Sequence, residues 1–199
     1  MRSAVKALAH AAATVLALPA ILSFVIRRAI VGADRALEGS TQALAIVPGL
    51  AGVYIRRAFL VQALAHCDRS ATVEFGTIFS QAGARLDANV YVGPRCHLGL
   101  VHLERDVLVA AGVHIPSGGE THGSDDVDRP IRDQPGRRTV VRVGEGAWIG
   151  SAAVVMADVG RHAIVGAGAV VVSPIPDYAV AVGVPARVVR DRRTAPSPS

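Results

Sequence analysis

Aromatic residues are scarce in this chain of 199 residues: one Trp, three Tyr and four Phe, 4% in all. A core without rings has to be assembled from small aliphatic side chains, and the 51% hydrophobic content is chiefly Val, Ala, Ile and Leu. Such a composition suits many thin, repeated layers. Cysteine is nearly absent as well. Cys67 and Cys96 are too few for a disulfide scaffold, and their spacing makes no metal motif. Charged residues stop at 19%, which together with the high apolar content excludes a disordered chain. The net charge of +5 comes without aromatics interleaved among Lys and Arg, so no nucleic-acid partner is expected; an anionic membrane surface or a phosphorylated ligand remains. The length fits one medium domain.

Residues 7–26 read ALAHAAATVLALPAILSFVI, apolar but for His10 and small hydroxyls, between Arg2 and Lys6 on one side and Arg27 and Arg28 on the other. The run is long enough to span a bilayer. It exceeds the apolar core of a secretory signal and an arginine pair follows at once, so a retained membrane-associating helix is expected, kinked at Pro19. A second apolar region, 43–64, is interrupted by Pro48-Gly49, Gly52 and Arg56-Arg57. It reads as an interfacial helix, with Arg27, Arg28, Arg35, Arg56 and Arg57 drawn to anionic lipid. The alternative is a soluble cap whose apolar face packs on the rest of the chain. Residues 1–69 are thus an apolar helical N-terminal region.

From about residue 70 a six-residue period takes over: Leu86, Val92, Leu98; Val143, Ile149, Val155; Val159, Val165, Val171. Apolar-Gly pairs mark it, at Val92-Gly93, Leu98-Gly99, Val143-Gly144, Ile149-Gly150 and Val165-Gly166. Neither a helix nor a long alternating strand has that period; a coil of short strands with a turn at each corner does. Each hexapeptide becomes one side of a triangular prism, its aliphatic residue pointing inward and the following Gly easing the corner. The step from Val155 to Val159 is four, and Val107 and Val113 fall out of phase, which predicts loops leaving the coil there. The largest such loop runs over 116–139, rich in Gly, Pro, Asp and Arg, and long enough to be functional. The Pro/Ser-rich end, 191–199, reads as a disordered tail.

Residues 143–190 resemble the C-terminal half of hexapeptide-repeat acyltransferases, the group that includes galactoside, maltose and nodulation-type O-acetyltransferases. The resemblance rests on Trp148-Ile149-Gly150, Gly166-Ala167-Gly168 and Gly183-Val184-Pro185-Ala186-Arg187, in that order. It covers residues 70–190; the N-terminal region is similar to a membrane-associated subset found with polysaccharide biosynthesis. It implies a mainly β fold, a left-handed parallel β-helix, preceded by the helical region.

The activity implied is acetyl transfer from acetyl-CoA to a sugar hydroxyl of a glycolipid or polysaccharide precursor, with a histidine as general base and no metal. His122, in Gly119-Glu120-Thr121-His122-Gly123, stands where the family places that base, with His114 second. Glu120 is the candidate to orient the imidazole. Glu74 and Asn89 are candidates to face the acceptor, while Asp125, Asp126, Asp128, Arg129 and Arg132 read as rim residues. For CoA, the resemblance points to Ser151 and Ala167 along the pantetheine chain and to Arg187 and Arg190 near the nucleotide phosphates. Val172-Ser173 departs from the Thr-Lys common there, which shifts weight onto an arginine cluster that includes Arg192 and Arg193. Trp148 is either a wall of the acyl pocket or a corner core residue. The family also implies a homotrimer with shared sites, and the basic, apolar N-terminus would hold it at the cytoplasmic face of the cell membrane, where acetyl-CoA is made.

Two other functions fit parts of the sequence. His97 and His102 stand five apart with His66 upstream, as in zinc-dependent carbonic-anhydrase-like β-helices. A coil that has lost its chemistry and serves as a scaffold is the other.

Overall fold

The computed structural model describes residues 2–194, with side chains from His10 onward. Three helices come first: α1 (Arg2–Val31), α2 (Ala33–Ala45) and α3 (Gly49–Ala63). The helix α1 continues through Pro19. Sixteen strands follow, nearly all of two or three residues, in three sheets. The first sheet holds β1 (His66–Cys67), β4 (Arg85–Leu86), β7 (Val101–Leu103) and β10 (Val141–Val143). The second holds β2 (Thr72–Val73), β5 (Tyr91–Val92), β8 (Leu108–Val109), β11 (Trp148–Ile149), β13 (Ile164–Val165), β15 (Ala179–Val182) and an antiparallel β16 (Arg187–Asp191). The third holds β3 (Ile78–Phe79), β6 (His97–Leu98), β9 (His114–Ile115), β12 (Val154–Val155) and β14 (Val170–Val171). Every other pairing is parallel, so the chain winds as a three-sided solenoid.

Inward-facing residues stack coil on coil. Down the first side they are Cys67, Leu86, Leu103, Val143, Val159 and Ile175; down the second, Val73, Val92, Val109, Ile149, Val165 and Ala181. The third side stacks Phe79, Leu98, Ile115, Val155 and Val171. All are buried, each contributing about 1.5–3 kcal/mol where the side chain is a full aliphatic. Two residues before each stacked position of the second and third sides sits a second buried residue, such as Val107, Val113, Ala147, Ala153, Ala163 or Ala169.

That second position corrects the reading of Val107 and Val113. They are not the start of a loop; Val109 and Ile115 carry the repeat, and the third corner is simply short. Leu98 to Leu103 is five residues and Val155 to Val159 four, with no excursion at either place. Only 116–139 leaves the coil.

The glycines after the repeat residues are not there for the turn either. A Cβ on Gly144 would sit 2.5 Å from the Arg161 nitrogen, and one on Gly150 2.5 Å from the Ala167 nitrogen, so they permit close approach of the next coil. The turn itself is made three residues after the stacked residues of the first two sides, Cys67 and Ala181 excepted. There the backbone is left-handed, at Gly76, Asn89, Arg95, Asp106, Gly112, Gly146, Ala152, His162, Gly168 and Tyr178.

The helices close the solenoid's first coil. Phe59 and Leu60 of α3 are buried in the same core, and Phe24 of α1 meets Phe59 edge-on with centroids 5.7 Å apart. The outer edges of β2 and β3 would otherwise expose unpaired backbone. Arg56 Nε donates to the Val73 carbonyl at 3.0 Å, its Nη1 donates to Leu44 (3.2 Å) and Val47 (2.7 Å), and Arg57 Nη1 donates to Ala71 at 3.2 Å. Thr41 Oγ1 accepts from the Phe79 N–H at 3.2 Å, and Asp34 accepts from Ala82 at 2.9 Å. Arg56 and Arg57 are therefore buried and are not headgroup-level residues; α3 is the packed cap. At the other end β16 runs to Asp191, and a 3-10 turn over Arg192–Thr194 is tied back where Arg192 N–H donates to Tyr178 O at 2.8 Å. Order thus passes the expected boundary at 190, because β16 needs its full length to pair with β15. Residues 195–199 of the predicted tail lie outside the described residues.

Candidate active site

The arm over 116–139 leaves the coil between the third side and the first, directly after Ile115. Ser117 fixes its root: its buried hydroxyl accepts from Leu100 N–H at 2.7 Å, and its carbonyl accepts from Thr139 N–H at 2.9 Å. The two limbs then run side by side. Arg137 N–H donates to Glu120 O at 2.6 Å, and a Cβ on Gly136 would fall 2.0 Å from the Thr121 oxygen, so a side chain there would push Thr121 and His122 away. The far end is folded around Gln134, a buried amide that donates to Asp126 O (2.7 Å) and Arg129 O (2.9 Å) and accepts from Asp126 N–H (3.1 Å). Nothing in the polar sequence of the arm singled Gln134 out; only its burial does.

This frame presents an open cleft of about 390 Å³ lined by Glu120, His122, Gly123, Asp125, Pro135 and Arg137. Glu120 and His122 share it, which brings the two predicted catalytic residues together. Asp125, Asp126, Asp128, Arg129 and Arg132 are exposed on the arm, and of these Asp125 lines the cleft.

Glu74 and Asn89 lie elsewhere on the chain. Glu74 is half-buried at the corner after β2, where its charge partly offsets the burial that lowers the Arg56 guanidinium's pKa. Asn89 makes a left-handed corner, its Nδ2 donating to Asp106 Oδ1 at 3.0 Å. Neither lines the cleft around His122.

The residues predicted for CoA form a strip along the corner between the second and third sides. Ser151 and Ala167 are exposed there on successive coils, joined where Gly168 N–H donates to Ser151 O at 2.8 Å. A Cβ on Gly168 would meet nothing within 4 Å, so the strip is bare backbone and small side chains, the surface an extended chain needs to lie flat. Trp148, the first residue of β11, faces outward, 46% exposed between Leu108 and Ile164 on the neighbouring coils, so it is not a core residue. Arg187 and Arg190 are exposed on β16, and Arg192 and Arg193 follow them. The arm and the strip occupy opposite edges of the third sheet.

The three histidines of the zinc alternative are split. His66 and His102 lie on the first side, flanking Asp87, whose Oδ2 is 3.0 Å from His102 Nε2 and whose Oδ1 is 3.8 Å from His66 Nε2. His97 lies on the third side, its ring 6.2 Å from that of His114 on the next coil. Among the described residues no group of three or more His, Cys, Asp or Glu is arranged to hold a metal ion. Both cysteines are buried thiols. Burial pushes Cys67 up to about 12 and also raises Cys96, so neither is a nucleophile near neutral pH.

The architecture is that of a three-sided parallel β-solenoid with one extruded arm and a strip of small residues at a corner. No family model matches the chain. A segment of 74 residues is 43% identical to a probable acetyltransferase of Mycobacterium tuberculosis, covering 36% of this chain and 25% of that protein. The matched segments span 25% and 30% of the length of the curated relatives. Among solved structures, a galactoside acetyltransferase in complex with coenzyme A superposes with a TM-score of 0.64 at 23% identity, over 80% of each chain. A maltose O-acetyltransferase from Clostridium difficile 630 gives 0.67 at 20% identity, over 79% of this chain and 87% of that one. The fold is that of the hexapeptide-repeat acetyltransferases, as the resemblance at residues 143–190 implies.

Proposed function

We propose that the chain is an acetyl-CoA-dependent O-acetyltransferase, acting at the cytoplasmic face of a membrane on a sugar hydroxyl of a glycolipid or polysaccharide precursor. The observation that carries this is one solenoid bearing both an arm that presents His122 beside Glu120 in an open cleft and a corner strip bare enough for a pantetheine chain. The solved galactoside acetyltransferase of the same fold is a complex with coenzyme A.

In this reading a ring nitrogen of His122 takes the acceptor hydroxyl's proton as its oxygen attacks the thioester carbonyl carbon. Glu120 holds the ring in orientation. Collapse of the tetrahedral oxyanion breaks the carbon–sulfur bond, and the departing sulfur recovers the proton from the imidazolium. Ser151 and Ala167 carry the pantetheine chain, Trp148 faces the donor from the second sheet, and Arg187 and Arg190 meet the nucleotide phosphates.

A homotrimer belongs to the proposal, because the arm and the strip stand at opposite edges of one sheet. A second copy that brings its strip against this arm completes the site. Leu108 and Trp148, both over 40% exposed, supply an apolar outer face for such packing. Membrane association rests on α1. Residues His10–Val31 have a mean hydropathy of 1.9, and only 11% of their apolar window is buried within the chain.

The test is thermal unfolding of detergent-purified protein with and without millimolar acetyl-CoA, followed by an acetyl-transfer assay over a panel of saccharides. Ligand at a hundred times its dissociation constant adds about 2.7 kcal/mol. An upward shift, diminished in Arg187→Ala and retained in His122→Ala, with transfer lost in the latter, is the expected result. No shift in any variant overturns the proposal.

A further inference from the structure

An open cavity of about 590 Å³ lies where the helical cap meets the arm, away from the cleft of His122. Its wall takes Val31 from the end of α1, Arg35 and Glu38 from α2, Ser80 from the first coil, and Thr121 and Arg138 from the two limbs of the arm. Three features of this wall point the same way.

The apolar face of α1 ends at the cavity. Ile26, Ile30 and Val31 are 63%, 76% and 47% exposed, so a hydrocarbon chain lying along α1 would deliver whatever it carries to this opening. The second feature is charge. The side chains of Arg35 and Arg138 make no hydrogen bond or ion pair among the described residues, so their guanidinium forks are available to a ligand. Two guanidinium groups from separate elements line the cavity together with the carboxylates of Asp34, which already accepts from Ala82 N–H, and Glu38, and the two forks suit an oxyanion with several acceptor oxygens. The third feature is the neighbourhood: Thr121 in the wall is joined by a peptide bond to His122.

We infer that this cavity receives the phosphate-bearing head of a lipid-carried saccharide. Arg35 and Arg138 hold the phosphate oxygens, the Glu38 carboxylate accepts hydrogen bonds from sugar hydroxyls, and the sugar reaches past Thr121 toward His122. The lipid chain follows the apolar face of α1. The inference rests on the acetyltransferase reading and narrows its acceptor to a phosphorylated one held at both ends.

The experiment titrates full-length protein in neutral detergent, without acetyl-CoA, against farnesyl phosphate, farnesol and inorganic phosphate. Farnesyl phosphate is expected to bind at least tenfold more tightly than either of the others. Arg35→Gln and Arg138→Gln should each weaken it about tenfold and the double variant about a hundredfold, while Arg138→Lys keeps most of the affinity and Arg69→Gln, on the coil surface, changes nothing. Unchanged melting temperatures establish that these exposed positions do not perturb the fold. Equal binding by the wild type and the double variant overturns the site. Inorganic phosphate binding as tightly as farnesyl phosphate, with the same variants affected, overturns the lipid-carried assignment in favour of a soluble sugar phosphate. Because no acetyl-CoA is present, a failure of the acetyltransferase reading would show separately, as loss of the acetyl-CoA melting shift with phosphate binding intact.

Discussion

Arg56 lies beneath the first coil with its Nε donating to the carbonyl of Val73 at 3.0 Å, a contact between a helix and the edge of a sheet that no other strand covers. The guanidinium is 3% exposed and bonds two further carbonyls, Leu44 and Val47, so one side chain ties α2, α3 and β2 together. Burial lowers its pKa, and Glu74 is the charge that opposes the shift.

Replacing this side chain by one of similar volume without donors separates the bonds from the packing. Arg56→Met relieves a desolvated charge but strands the Val47 and Val73 carbonyls, while Leu44 O keeps the Val47 N–H, and the balance is expected to be a loss of about 2–4 kcal/mol. Arg56→Lys keeps the charge and can reach one carbonyl, so it should cost nearly as much. Urea unfolding monitored by circular dichroism measures both. An Arg56→Met protein as stable as the wild type would show that the cap holds by apolar packing alone.

The repeat was legible because its chemistry is local: an inward Val143, Ile149 or Val165 is followed at once by a glycine that the next coil crowds. The two arginines of α3 were not legible in the same way. Next to Pro48-Gly49 and an apolar run, Arg56 and Arg57 look like headgroup ligands, and only the unpaired carbonyls of Ala71 and Val73 at the edge of β2, which the sequence does not announce, turn them inward. Val107 and Val113 misled for a related reason, since both inward positions of a coil are apolar and a shortened third corner shifts the phase without any sequence mark. Of the proposed site, the resemblance pointed to His122 and Glu120, which share one cleft. Ser117 and Gln134, which hold the arm that carries them, could not be found that way, because a serine and a glutamine in a polar loop differ from their neighbours only in being buried.

Gln134 should be a positioning residue whose loss is felt in the arm and not in the coil. Its amide makes three hydrogen bonds, to Asp126 and Arg129, so Gln134→Ala removes about 1–3 kcal/mol of local order. Limited proteolysis within 120–138 should quicken by roughly ten- to a hundredfold, with the global melting temperature within a few degrees of wild type and the acetyl-CoA shift retained. Acetyl transfer should fall through kcat. An unaltered cleavage rate would mean that the limbs hold each other through Ser117–Thr139 and Glu120–Arg137 alone.

The buried thiols predict an alkaline limit. Cys67 is raised from 9.0 to about 12 in the folded protein, chiefly by desolvation and further by the charge of Asp68. A raised folded pKa means that the stability it contributes is whole below pH 9, where both states hold the proton, and is lost as pH climbs toward 12, where the unfolded chain ionises first. The slope from one such group is about 1.4 kcal/mol per pH unit at most. Stability measured between pH 8 and pH 11 should therefore decline, and Cys67→Ala should flatten the decline while lowering stability at pH 8 through the lost side chain. A parallel pair of curves would assign the alkaline loss to other groups.

The corner strip makes the sharpest separation between fold and function. Ala167 is exposed, and its neighbour Gly168 has open space where a Cβ would stand, so a large side chain at 167 can lie on the surface without entering the prism. Ala167→Trp is expected to leave the melting temperature of the ligand-free protein within about 2 °C of wild type, since exposed substitutions of this kind stay within about 0.5 kcal/mol. The indole would cover the backbone between Ser151 and Gly168, where the pantetheine chain is proposed to lie, and the acetyl-CoA shift of about 2.7 kcal/mol at a hundredfold excess should disappear. Ala167→Ser, which adds one hydroxyl, should keep it. His122→Ala run beside these two should show the opposite pattern, binding without transfer. If Ala167→Trp binds acetyl-CoA as well as the wild type does, the donor lies on another edge of the solenoid, and Arg187 and Arg190 lose their assigned role with it.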